Sequence, residues 1–403
     1  MTNKTLKIFY GLIFLTSFFV STVFTTYVPF LAERSMSRLE INLINAFFML
    51  SVFLMEVPTG SYADSWGRKR CFLYSLLFEA VSFAVYYLSN SFLFFVLAEV
   101  LAAVAWAFAS GSLEAWLVDS LKHHGFNGEL TKVFYRESVF HQSGFILGGL
   151  AGAYVGARFN LALPWLLASV GSLFCFILAT FLMKEEYFVR KKLNGFKQKS
   201  NQLLLIIKDS INYGIKVKKV FYLVSLNSGM MLGFQAFNMY WTLKFREHFS
   251  QNILGWIWML ISLAILFGSL SNRWCLGLKI SKSMSLLLYV LICALGGLAA
   301  VFFYDNLFFL ILFFIVHEFG RGGFKPIKRA FINENIPSDK RATIISFDSM
   351  IEKLGAVVGL LLSGLIAQNY SIKESWLFCS IIICLSSFIC FKLNKEEEAF
   401  FRA

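Results

Sequence analysis

Charged residues are scarce in this 403-residue chain: they make up 15% of the sequence, against about 25% in soluble domains. Hydrophobic residues account for 58%. They come in blocks of about 20, the length of an α-helix that crosses a hydrocarbon core of about 30 Å. This balance excludes a water-soluble globular protein and predicts an all-α polytopic membrane protein.

The sequence also lacks the short motifs of metal, disulfide and nucleotide chemistry. None of its seven cysteines forms a C-x-x-C pair, its five histidines show no metal-ligand spacing, and no G-x-x-x-x-G-K-[ST] phosphate loop occurs. A membrane-embedded enzyme would need clustered His and Asp at membrane depth, and no such cluster is visible. We therefore expect no enzymatic activity, no cofactor, no bound metal and no use of ATP.

Positive charge is distributed very unevenly between the loops, although the net charge is +13. If the N-terminus lies inside, only six cations face outward, whereas the loops on the inner side hold nearly all the others. The six are Arg34, Arg38, Arg158, Lys244, Arg246 and Lys373. This positive-inside pattern predicts cytoplasmic N- and C-termini and makes the basic charge a topology signal, with no nucleic-acid partner. The spans that we predict lie near residues 8–31, 40–62, 71–89, 92–118, 137–157, 161–183, 218–243, 251–271, 284–304, 307–327, 343–367 and 374–393.

Two short patterns recur at nearly the same distance along the chain. G-S-x-x-D at residues 60–64 returns as G-S-x-x-N at 268–272, and G-S-L-E at 111–114 is echoed by G-G-F-K at 322–325. A common offset near half the chain length indicates a duplicated six-helix unit. The predicted domains are an N-terminal six-helix bundle at 1–184, a cytoplasmic linker with a short amphipathic helix at 185–217, and a C-terminal six-helix bundle at 218–403.

The segment between the second and third spans, G-S-Y-A-D-S-W-G-R-K-R at residues 60–70, resembles the signature loop of the major facilitator superfamily. That loop reads G-x-x-x-D-x-x-G-R-[RK]-x-[RK]. The positions in register are Gly60, Asp64, Gly67, Arg68 and Lys69. The resemblance implies the major facilitator fold, with two six-helix bundles related by a pseudo-twofold axis, and a monomer in a bacterial-type plasma membrane. It also implies that the loop locks the two halves together on the cytoplasmic side, and we expect Asp119 and Arg136 to join its charge network.

The fourth span carries two acids on one predicted helical face. Glu99, Trp106, Ser110 and Glu114 are seven, four and four residues apart, which places them on one stripe of a continuous helix. We interpret this stripe as the wall of an aqueous cavity. Alternatively, Glu114 only snorkels from the cytoplasmic end of the span. Glu99 lies deeper, so it is the better candidate for carrying a proton, with Glu114 and Glu318 as further candidates.

The tenth span carries cations on the corresponding face. Glu318, Arg321 and Lys325 share one side of that helix, and we expect Arg321 or Lys325 to pair with Glu114 across the cavity. Lys325 can equally serve only to anchor a helix end. The seventh span adds amides within about 80° of one another, which line the cavity or hold helices together. These amides are Asn227, Gln235 and Asn238.

A glycine row in the fifth span resembles the antiporter motif G-x-x-x-G-P-x-x-G-G. It comprises Gly144, Gly148 and Gly152, with Gly149 at the position of the proline. The resemblance implies proton-driven export, and close helix packing is the plain alternative.

These features predict a secondary active transporter that moves a small organic solute by alternating access. The expected activity is proton-coupled efflux of a drug or of a secreted metabolite such as a siderophore. The alternatives are a nutrient uptake symporter and a transport-inactive membrane sensor or scaffold. The expected partners are the solute, protons and the lipid bilayer.

Overall fold

The computed structural model describes residues 2–185, 217–278, 280–336 and 341–402, and the side chains of 56–65, 276, 341–343 and 397–402 lie outside this description. Apart from its two end residues, the predicted linker at 185–217 also lies outside the described residues. The described part of the chain is helical and contains no β-strand. The prediction of an all-α polytopic protein is confirmed.

Fourteen helices occur among the described residues. The first eight are α1 (Thr2–Ser21), α2 (Tyr27–Glu33), α3 (Arg38–Trp66), α4 (Arg68–Leu88), α5 (Phe92–Ala109), α6 (Ser112–His123), α7 (Leu130–Arg158) and α8 (Leu163–Leu182). The next six are α9 (Lys218–Arg246), α10 (Gln251–Gly277), α11 (Lys282–Phe302), α12 (Leu307–Glu334), α13 (Arg341–Asn369) and α14 (Ile372–Arg402).

Eleven helical segments of the described chain are long and apolar enough to cross a membrane. Each predicted span coincides with a helix or a pair of helices, but α7, which covers the fifth span, is not among these eleven. Its first two turns carry Lys132, Arg136 and Glu137, and glycines replace large apolar residues further along. Both features lower its hydropathy.

The fourth span is interrupted where a continuous helix is predicted. α5 ends at Ala109, and Gly111 precedes α6 in the left-handed conformation, with φ +69°. The prediction of one uninterrupted face from Glu99 to Glu114 is therefore wrong, because the left-handed residue changes the direction of the chain between them. The first span is likewise divided between α1 and α2.

Two compact units divide the chain. Unit one comprises Met1–Met36, Phe47–Asn194 and Thr242–Met259, and unit two comprises Ser37–Ala46, Gly195–Trp241 and Leu260–Ala403. Each unit thus takes segments from both halves of the sequence. The division at 1–184, 185–217 and 218–403 stays a prediction.

In unit one, the glycine row of α7 lies directly against α1. The row consists of Gly144, Gly148 and Gly152. A Cβ at these positions would overlap the backbone carbonyl oxygens of Phe14, Phe18 and Thr22, respectively. Close backbone approach therefore requires glycine at these positions. The packing role that sequence analysis left open is present in the structure.

Unit two contains the same kind of contact between α13 and α9. A Cβ on Gly355 or Gly359 would lie 2.5 Å from the carbonyl oxygen of Ser228 or Leu232, respectively. The two glycines occur 211 residues after Gly144 and Gly148, the offset of one of the repeats found in the sequence. Both units therefore use glycines four residues apart to bring two helices together.

Candidate functional site

A buried carboxylate held by two phenols lies inside unit one. Glu99 of α5 is 6% exposed, and its Oε1 accepts hydrogen bonds from the Tyr27 hydroxyl at 2.8 Å and the Tyr86 hydroxyl at 2.5 Å. Tyr27 belongs to α2 and Tyr86 to α4, so three helices converge on one oxygen atom. Sequence analysis identified the acid but neither of the tyrosines.

Aromatic rings enclose this carboxylate. The ring of Trp165 stacks on Tyr86 with 4.0 Å between centroids and 14° between planes, and Phe30 and Phe95 pack around them. No cation among the described residues pairs with Glu99. An apolar enclosure favours the uncharged form of an acid that has no counterion, and the two hydroxyl donors favour the ionised form. The site can therefore hold a proton and release it when its surroundings change.

A second carboxylate, Glu79 of α4, is oriented toward α8. The Ser172 hydroxyl donates a hydrogen bond of 2.9 Å to Glu79 Oε2, and no described cation pairs with this acid either. Glu79 precedes Tyr86 by two helical turns. Sequence analysis missed it, although an acid within an apolar span was a sufficient signal.

The other residues predicted on the fourth span have different surroundings from Glu99. Trp106 is 58% exposed, and Glu114 is exposed on α6, beyond the break at Gly111. Asp119 is partly buried on α6, and Arg136 is exposed on α7. The pairing of Glu114 with Arg321 or Lys325 stays a prediction.

The signature loop ends in a capped helix. Gly67 precedes α4 with φ +92°, and the first two amides of α4 donate to one carboxylate. Glu185 Oε1 accepts from Arg68 N at 2.7 Å, and Oε2 accepts from Lys69 N at 3.3 Å. This arrangement satisfies two donors that a helix N-terminus leaves unpaired. Lys69 Nζ also donates to the Thr180 carbonyl oxygen at 2.7 Å.

Glu185 is an acid that sequence analysis did not select, because the loop pattern itself already contains an acid, Asp64. Gly60 and Asp64 lie on α3, and their side chains are outside the described set. Burial raises the pKa of Glu185 above its ordinary value, while the two amide hydrogen bonds and the charge of Arg68 act in the opposite direction.

Unit two contains a buried ionic network. Lys328 of α12 forms an ion pair with Asp348 of α13, and the two residues are 7% and 6% exposed. The amide nitrogen of Asn227, on α9, donates to Asp348 at 3.3 Å and to Glu352 at 2.9 Å. Sequence analysis selected Asn227 but missed both acids of α13.

The remaining predicted residues of unit two surround Arg321. Its guanidinium donates to Asn238 Oδ1 at 2.5 Å and to Glu318 Oε2 at 3.3 Å, and it lies 5.1 Å from the ring centre of Phe234. Lys325, one turn further along α12, is exposed. Gln235 is buried, and its amide nitrogen donates to the Met231 carbonyl oxygen of its own helix at 2.7 Å. The structure thus brings Asn238, Glu318 and Arg321 together.

Sequence and structure comparisons agree on one family. The family model for the Major Facilitator Superfamily matches residues 10–298 and 275–402. The chain is 22% identical over 391 residues to the uncharacterized MFS-type transporter YxaM of Bacillus subtilis (strain 168), covering 94% of each protein. It is also 22% identical over 407 residues to the quinolone resistance protein NorA of Staphylococcus aureus (strain COL), covering 98% of each.

Solved structures show the same fold. The nucleoside transporter NupG superposes with a TM-score of 0.81 at 16% identity, covering 97% of this chain and 99% of that one. A peptide transporter POT in complex with sulfate superposes with a TM-score of 0.75 at 13% identity, covering 99% of this chain and 95% of that one. The predicted fold class is confirmed.

Proposed function

This chain belongs to the Major Facilitator Superfamily of membrane transporters, and on that premise we propose that it exports a small organic solute in exchange for protons by alternating access. A relative of nearly equal length is a quinolone resistance protein, which favours a drug or a secreted metabolite such as a siderophore as the solute. The relatives of this chain that carry a description of their activity are transporters or resistance proteins, and we propose no catalytic activity for the chain. The charge asymmetry of the loops supports cytoplasmic termini.

Glu99 carries this proposal. Ionising an enclosed acid that has no counterion costs free energy, so Glu99 keeps its proton while the site excludes water. The hydroxyls of Tyr27 and Tyr86 reduce this cost and keep release of the proton within reach. A conformation that admits water to this site lowers the cost of ionisation and releases the proton. Proton occupancy and conformation are thereby linked, as exchange requires.

The test uses purified protein in proteoliposomes with a fluorescent fluoroquinolone as the probe and an imposed pH gradient. We expect Glu99→Gln to bind the probe but to lose gradient-driven transport, because an amide keeps the shape of the acid and cannot titrate. Tyr86→Phe keeps the ring and removes one hydroxyl donor, so we expect an altered pH dependence. Glu33→Gln is the control, because Glu33 is an exposed acid.

The outcome distinguishes several alternatives. An unchanged pH dependence in Glu99→Gln contradicts the assignment and directs attention to Glu79, Glu114 and Glu318. Movement of probe and protons in the same direction shows a symporter, the second mechanism that the sequence allows. No movement of any probe, with intact binding, supports a sensor or scaffold.

A further inference from the structure

A pocket of about 370 Å³ opens in unit one between the start of α1, the loop after α6 and the first turns of α7. Its floor is apolar and is formed by Leu6, Tyr10, Phe126 and Val133. The charged residues that line it are Glu129, Lys132 and Arg136. This volume is at the small end of the range for ligand sites, about 300–1,000 Å³. Arg136 is the one lining residue that the sequence places in the charge network of the signature loop, and the proposed proton site at Glu99 does not use this pocket.

The loop that forms one side is fixed by its backbone. Gly125 has φ +66°, its N–H donates to the Lys122 carbonyl oxygen at 3.1 Å, and Phe126 N donates to the Leu121 carbonyl oxygen at 3.0 Å. These two bonds are the Schellman arrangement that ends a helix. A Cβ on Gly128 would lie 2.5 Å from the ring of Phe126, so glycine allows the loop to fold over that ring.

The residues of the apolar floor are fixed by a hydrogen bond, a ring stack and packing against the core of unit one. The Tyr10 hydroxyl donates to the Val133 carbonyl oxygen at 3.3 Å, which joins α1 to α7. The ring of Tyr10 stacks on Phe140 with 5.1 Å between centroids. Phe126 packs against the buried apolar cluster of unit one. The pocket is therefore built before any ligand arrives.

Its electrostatic environment favours an anion. Arg136 is exposed and makes no ion pair with any residue that the structure describes, whereas Lys132 pairs with exposed Glu129 at 3.4 Å. An exposed pair of this kind is weak and exchanges readily. The pocket also adjoins the N-terminal end of α7, where the helix dipole favours negative charge.

We propose that this pocket binds the headgroup and first methylene groups of an anionic phospholipid. Cations beside an apolar floor, at the ends of membrane-crossing helices, match a phosphate linked to hydrocarbon. The volume accommodates a glycerophosphate headgroup, and the acyl chains continue into the bilayer. Inorganic phosphate would contact only the cations, because it has no apolar group to pack on the floor of the pocket. In the bound state, the lipid phosphate replaces Glu129 as the partner of Lys132.

The test measures thermal unfolding of the purified full-length protein with dioctanoyl-phosphatidylglycerol, dioctanoyl-phosphatidylcholine or inorganic phosphate. We expect stabilisation by the anionic lipid alone. Lys132→Gln/Arg136→Gln should weaken its binding by about 30-fold, given about 1 kcal/mol for each of the two cations. Glu129→Gln should strengthen binding, because it removes a competing carboxylate. Lys218→Gln/Arg329→Gln, which removes two exposed cations of unit two, is the matched control.

Each other outcome overturns the proposal. Equal stabilisation by inorganic phosphate shows a simple anion site, and equal stabilisation by phosphatidylcholine shows that the charges are irrelevant. If the anionic lipid stabilises Lys132→Gln/Arg136→Gln as much as the unmodified protein, the lipid binds at another site. Both side chains are exposed, so the double variant should fold. Arg136→Gln alone repeats the test with a smaller change.

Discussion

At the scale of single residues, the ion pair between Lys328 and Asp348 is the most enclosed pair of opposite charges that the structure describes. Neither residue exceeds 7% exposure, and Asn227 occupies the second oxygen of the aspartate. Loss of one partner from such a pair leaves a buried charge without compensation, which costs about 3–5 kcal/mol. Joint removal leaves neither charge of this pair behind, and Glu352 keeps its hydrogen bond from Asn227.

We therefore predict that Lys328→Met and Asp348→Asn each lower the thermal unfolding midpoint strongly, and that the double variant recovers much of the loss. Circular dichroism of the detergent-purified protein measures the midpoints, and a double-mutant cycle gives the coupling between the two residues. The Lys218–Glu396 pair at 3.5 Å, whose lysine side chain is 71% exposed, is the control. Its removal should change little. Strict additivity at Lys328 and Asp348 would contradict the pairing.

The sequence reveals which charges are unusual but does not reveal their partners. Glu99 was identifiable because an acid within an apolar span is costly, and Glu79 and Asp348 carried the same signal unrecognised. Tyr27 and Tyr86 were not identifiable, since their hydroxyls meet Glu99 only through the packing of α2, α4 and α5. Helix rotation and helix pairing determine those contacts, and periodicity along one helix contains no information on either.

At the scale of secondary-structure elements, the start of α4 depends on one glycine and one acid. Gly67 has φ +92°, and a Cβ there would lie 2.6 Å from Glu185 Oε2. Gly111 and Gly125 also have positive φ, but a Cβ at either position meets nothing within 4 Å. Gly67 also differs in ψ, which is 153° against −4° at Gly111, a region that essentially only glycine adopts. Its substitution therefore combines a larger backbone strain with a steric clash at the cap.

We predict that Gly67→Ala destabilises the protein more than Gly111→Ala or Gly125→Ala does. The latter two should cost about 1–2 kcal/mol from left-handed backbone strain. Gly67→Ala should add the larger strain of its φ +92°, ψ 153° backbone and the displacement of the Glu185 cap. Thermal unfolding of the three variants provides the comparison. In the Gly67→Ala background, Glu185→Ala should cost less than it does alone. An undiminished cost of Glu185→Ala in that background would show that the cap is not disturbed.

The spans could be located from the sequence because a helix that crosses the bilayer needs about 20 consecutive, predominantly apolar residues. The breaks within the first and fourth spans could not be predicted. The turn at Gly111 divides a stretch that remains apolar on both sides, so hydropathy does not change where the helix ends. A glycine in a helical pattern is compatible with either a break or a close contact, and both occur in this chain.

At the scale of the whole molecule, the asymmetric distribution of cations predicts the orientation of every loop. Asn90, between α4 and α5, should face outward, and Asn127, between α6 and α7, should face the cytoplasm. Both are exposed. The native cysteines give little background for thiol labelling, since all are buried except Cys384, which is partly buried.

We predict that a membrane-impermeant maleimide labels Asn90→Cys and not Asn127→Cys in intact cells, and that both react after the cells are permeabilised. Reaction after permeabilisation is the control for accessibility. The reverse pattern would invert the topology and would place the lipid pocket in the opposite leaflet.

The glycine row of α7 also limits how the gene can vary. Every single-base change in a glycine codon that replaces the residue introduces a Cβ. At Gly144 and Gly148 this atom collides with the main chain of α1, and at Gly152 it collides with the main chain of Thr22, which follows α1. A mutation cannot remove a backbone atom, so no second mutation that changes a neighbouring side chain restores the close packing of the two helices. We expect these three codons to vary only in their third base in descendants of this gene, whereas Gly149, whose Cβ would meet the side chain of Trp258, can change together with that side chain.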